Sequence, residues 1–81
     1  MAETAAHLAA LDARLQVAAK AGDAVALARD YRCAADHAAR DGNEDAAGFY
    51  LTHAYVWALV AGDAAGAASL ARDLRRQGRL D

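Results

Sequence analysis

The sequence has few of the residues that usually interrupt or cross-link a small fold. It contains no proline, no isoleucine and a single cysteine among 81 residues. Without proline, no position forces a helix to break. One cysteine excludes an intramolecular disulfide framework and a cysteine-rich zinc module. We therefore expect residues 1–81 to form a single domain that is held together by packing alone.

Alanine dominates the composition. It accounts for 26 residues, followed by 9 leucines, whereas the β-branched valine occurs 4 times. Alanine and leucine are the best helix formers, and β-branched residues are the ones that favour strands. The composition therefore predicts an all-α fold. Because alanine buries little apolar area, a monomer of this size would be marginally stable, and association would bury more.

Long hydrophobic runs and a strong net charge are also missing. No run approaches the roughly 20 apolar residues of a membrane span. The first five residues lack the basic and leucine-rich regions of a secretory signal. The net charge of −2 argues against general nucleic-acid binding. We expect a cytoplasmic protein with no nucleic-acid partner and no membrane partner.

Glycine divides the chain at nearly even intervals. Gly22, Gly42 and Gly62 are each followed by Asp or Asn. Glycine is the usual residue just past a helix C-terminus, and Asp or Asn caps the N-terminus of the next helix. This pattern predicts helices near residues 3–20, 24–40, 44–61 and 64–77. Turns this short make successive helices antiparallel. The expected fold is four antiparallel helices in two hairpins, residues 3–40 and 44–77, as a hairpin stack or a four-helix bundle.

The third predicted helix is apolar on every side. The other helices set arginines opposite a stripe of alanine and leucine, whereas from residue 46 onwards only Thr52 and His53 interrupt the apolar surface here. Such a helix is either buried on all sides in the monomer or presents a face to another chain. Because three partner helices can hardly cover it, the sequence predicts an interface with a second copy, as a homodimer, or with another protein. The predicted anchors of that interface are Phe49, Tyr50, Tyr55, Val56, Trp57 and Val60.

Two short motifs occur twice in the same order. Ala-Gly-Asp-Ala at 21–24 recurs at 61–64, and Leu-Ala-Arg-Asp at 27–30 recurs at 70–73. This repetition indicates two helical hairpins in tandem. On these motifs the chain resembles tetratricopeptide repeats, which implies a stack of α-hairpins that binds peptides or proteins.

The chain departs from the tetratricopeptide pattern at several points. Tyr55 stands where the family has a small residue, and Ala71 stands where it has an aromatic one. The repeat offset of 40 residues also exceeds the family's unit of about 34 residues. The stretch 49–55 resembles part of a small bacterial family as well, and this second likeness implies no function.

Cys33 and His37 form the one pair with metal-binding character. They lie four residues apart on a predicted helix, so both side chains can face one ion, and Asp30 or His53 could complete the site. The alternative function is therefore a small ligand- or metal-binding regulatory protein that uses Cys33, His37 and His53. However, a structural zinc ion requires four ligands, usually from paired clusters.

The chemistry-bearing motifs of enzymes are missing. The sequence has no phosphate-binding glycine loop, no nucleophile elbow and no metalloprotease motif. We expect no enzymatic activity, no cofactor and no catalytic residue. The leading prediction is a small non-catalytic interaction module that self-associates through its third helix.

Overall fold

The computed structural model describes residue 10, residues 13–17 and residues 19–80, which form helices joined by turns. Helix α1 comprises residues 10, 13–17 and 19–21 of this part. Three helices follow: α2 Ala24–Arg40, α3 Glu44–Val60 and α4 Ala64–Arg76. The described residues contain no strand, so the all-α prediction is confirmed. The predicted bounds of α2 to α4 agree to within one residue, whereas the predicted first turns of α1, residues 3–9, lie outside the described residues.

The turns between the helices follow from glycine and a capping residue. Gly42 ends α2 with φ of +77°, a left-handed conformation that glycine adopts without the steric cost of a Cβ. The amide of Asn43 then donates to the Ala38 carbonyl at 2.9 Å, which closes the end of α2. The Asn43 side chain in turn accepts from the Ala46 amide at 3.2 Å and caps α3. Asp23 and Asp63 cap α2 and α4 in the same way, at 3.1 and 2.9 Å. The prediction of short capped turns is confirmed.

Helix α3 is the centre of the fold, because it packs against both α2 and α4. The core between these helices consists of alanine with a few leucines: Ala35, Leu51, Ala54, Ala58, Ala67, Leu70 and Leu74. Ala54 is completely buried. Small side chains at the contact let helix axes approach to the short end of the usual range. The described part of the chain measures 35 × 31 × 14 Å, and its thickness corresponds to two layers of helices.

Ion pairs connect α2 with α1 and with α4. Asp30 of α2 is buried, and its carboxylate lies 3.8 Å from the guanidinium of Arg14 in α1 and 3.4 Å from that of Arg29. Arg32 of α2 lies 3.8 Å from Asp73 of α4. The two aspartates are the last residues of the repeated Leu-Ala-Arg-Asp motif. Each therefore pairs with an arginine from a neighbouring helix.

Candidate protein-interaction surface

Helix α3 leaves one side uncovered. Phe49, Val56, Leu59 and Val60 are 58%, 46%, 54% and 63% exposed. We call these four residues the α3 stripe. At 100° per residue they fall within an arc of about 100°. The opposite side of α3 carries Leu51, Ala54 and Ala58, which are buried against α2 and α4. The uncovered side is therefore the one that faces away from the core.

The six predicted anchors divide into two groups. Phe49, Val56 and Val60 are exposed on the α3 stripe. The other three, Tyr50, Tyr55 and Trp57, are half-buried, and both tyrosines pack against the core cluster. Leu59 is exposed but was not among the predicted anchors. The sequence does contain a signal for the exposure of Leu59, because on a helical projection it lies only 60° from Val56.

An aromatic cluster supports one edge of the α3 stripe. The imidazole of His53 stacks on the ring of Tyr31 from α2, with centroids 5.0 Å apart. Phe49 lies 4.5 Å from His53 and 5.6 Å from Tyr50. Aromatic pairs at such distances add stability beyond area burial. Phe49 is thus held in place although more than half of its surface is exposed.

The N-terminal end of α3 is charged. Glu44 and Asp45 occupy its first turn, where the helix dipole favours acidic residues. Arg79 reaches this turn from the C-terminal segment: its guanidinium donates to the Glu44 carbonyl at 3.3 Å and lies 3.8 Å from the Asp45 carboxylate. Gly48 makes room for the guanidinium, because a Cβ there would lie 2.1 Å from its central carbon. The α3 stripe itself carries no charged residue.

The candidate ligand residues are spread over two helices. Cys33 is exposed on α2, His37 is half-buried one turn later, and His53 is stacked on Tyr31. Within the described part of the chain, no three His, Cys, Asp or Glu side chains are grouped so that they could hold a metal ion. Cys33, His37 and His53 therefore do not assemble into one site.

A groove of about 380 Å³ between α2 and α4 is lined mainly by alanine and by the paired Asp73 and Arg76.

No protein-family model, no curated protein and no solved structure matches this chain. The described helices include none with the length and apolar character required to cross a bilayer. The fold and the surface together define a small α-helical hairpin protein with an uncovered apolar helix face.

Proposed function

We propose that this chain is a small non-catalytic interaction module that self-associates through the α3 stripe. The observation that carries the proposal is that four large apolar side chains are exposed on one face of α3, whereas the core of the fold consists mostly of alanine. Apolar patches of a few hundred Å² on the surface of a small protein are often functional contact sites. A second copy can dock there without burying a charged side chain, because the stripe contains none. Such a contact uses the same patch on both copies.

The size of the α3 stripe sets the strength of the expected association. Its uncovered apolar area is on the order of 400 Å². A stable interface buries about 800 Å² per partner. Even with the half-buried aromatic residues at its edge, the contact belongs to the small, weak class. We therefore expect a reversible dimer with a dissociation constant of roughly 10–100 μM.

The order of helix packing supports a tetratricopeptide-like hairpin stack as the form of the module. In such a stack each helix packs on its neighbours in sequence, and α3 packs on α2 and α4 in this way. We propose the cytoplasm as its compartment. The exposed free thiol of Cys33 suits a reducing environment.

Sedimentation velocity of the wild-type chain from about 5 to about 500 μM tests the proposal, because that range brackets the expected dissociation constant. We expect the mass to rise towards that of a dimer. Val56→Glu places a charge in the middle of the α3 stripe and should keep the chain monomeric. Val25→Glu is the matched control, because Val25 is 64% exposed on α2 and lies outside the stripe. A wild-type chain that remains monomeric at the highest concentration contradicts the proposal.

A further inference from the structure

Three residues of the α3 stripe and the half-buried His53 beside them are spaced symmetrically along α3, and the fourth stripe residue, Leu59, lies outside this pattern. Phe49, His53, Val56 and Val60 follow one another at intervals of four, three and four residues. Reversing the direction of the helix about the midpoint between His53 and Val56 reproduces the same pattern. In that arrangement Phe49 of one copy meets Val60 of the other, and His53 meets Val56. Intervals of four and three are also those of helices that pack side by side along a seam.

We propose that the second copy docks with its α3 antiparallel to the first, on a twofold axis that passes between His53 and Val56. This inference rests on the proposed self-association and specifies its geometry. The residue spacing alone also permits a parallel pair, since a four-three-four pattern matches itself in both directions. The charges at the ends of the helix decide between the two.

A parallel pair would bring like charges together. Glu44 and Asp45 of both copies would lie side by side at the same end of the interface, and the side chain of Asp45 is fully exposed. Carboxylates that lie side by side repel one another. An antiparallel pair places the two acidic turns at opposite ends, with the acidic turn of one copy beside the C-terminal end of the other copy's α3.

The antiparallel pair also gives Arg79 a favourable neighbour. Arg79 lies at the N-terminal end of α3, beside Asp45, and about a third of its side chain is exposed. Antiparallel docking brings it close to the C-terminal end of the other copy's α3, where the last carbonyls favour a cation. Asp63 follows that helix end and supplies a carboxylate of opposite charge. Arg79 of one copy and Asp63 of the other therefore carry opposite charges at the same end of the antiparallel pair.

Distances between spin labels distinguish the two orientations without altering the α3 stripe. In a Cys33→Ser background, a nitroxide is attached to Ala46→Cys or to Ala61→Cys, which are partly exposed, uncharged positions near the two ends of α3. In the antiparallel dimer, identical labels lie about 26 Å apart along the axis at position 46 and about 20 Å apart at position 61. Because the two helices are about 10 Å apart, dipolar electron spectroscopy should then give about 27 Å and about 22 Å for the two variants alone. A mixture of the two variants should add a population below about 15 Å, because residue 46 of one copy and residue 61 of the other lie at nearly the same height along the pair.

Each remaining outcome overturns the inference. A short distance for each variant alone and a long one for the mixture indicates a parallel pair. A dimer in sedimentation that gives neither pattern indicates contact through another surface. A chain that stays monomeric in sedimentation, without dipolar coupling, refutes the proposed function itself. The two measurements therefore distinguish a wrong orientation from an absence of self-association.

Discussion

Replacing Asp30 with asparagine tests whether a buried carboxylate holds α1 to α2. The Asp30 side chain is 5% exposed, whereas its partners Arg14 and Arg29 are 55% and 69% exposed. Burial penalises the carboxylate, and the two guanidinium groups offset that penalty. Because both arginines remain largely in solvent, their contribution is screened and small. We expect Asp30→Asn to lower the free energy of unfolding by about 1 kcal/mol.

Urea denaturation followed by circular dichroism measures this change. Asp36→Asn is the matched control, because Asp36 is exposed on the same helix and should alter stability by less than about 0.5 kcal/mol. A double-mutant cycle with Arg14→Gln isolates the contact between helices, with an expected coupling of about 0.5 kcal/mol. The coupling should shrink in about 1 M salt, where the Debye length is about 3 Å. An Asp30→Asn protein as stable as the wild type would show that pairing does not outweigh desolvation.

Two further substitutions test the core and the turns. Ala54→Leu adds volume at a fully buried position and should cost about 1–3 kcal/mol, whereas Ala68→Leu on the exposed face of α4 should cost little. A gain in stability from Ala54→Leu would indicate a void between the helices. Gly42→Ala forces a Cβ into the left-handed region at φ of +77°, with no heavy atom within 4 Å of it, so about 1 kcal/mol should be lost through the backbone alone. Thermal unfolding measures both, and an unchanged Gly42→Ala midpoint would contradict the strain argument.

The helices and turns could be predicted because their causes are local. A left-handed glycine followed by a capping Asp or Asn is readable within a few residues, and the structure has that arrangement at Gly42 and Gly62. The buried face of α4 was also predictable. Its leucines and alanines recur with helical period opposite arginines, and Leu70 and Leu74 are indeed in the core.

The exposed face of α3 was harder to predict, because a helix that is apolar on all sides has no periodic signal that tells which side is inward. Only the positions of α2 and α4 determine that Tyr55 is half-buried and Leu59 exposed. Two other contacts also depend on tertiary structure. The pairing of Asp30 with Arg14 joins α2 to α1, and the Arg79 contact with Gly48 joins residues far apart in the sequence.

The distribution of residue sizes links stability to association. In the part of the chain that the structure describes, eight of the twelve buried hydrophobic residues are alanines, whereas Phe49, Val56, Leu59 and Val60 are exposed. Alanine contributes little hydrophobic stabilisation, so covering the α3 stripe in a dimer should stabilise the fold by mass action. Above the dissociation constant, a tenfold rise in protein concentration adds about 0.7 kcal/mol per chain, which raises the melting temperature of a domain this size by about 3–5 °C. Scanning calorimetry at several concentrations measures the shift, and Val56→Glu should show none. A wild-type melting temperature that is independent of concentration while sedimentation detects dimers would mean that association and folding are not coupled through this face.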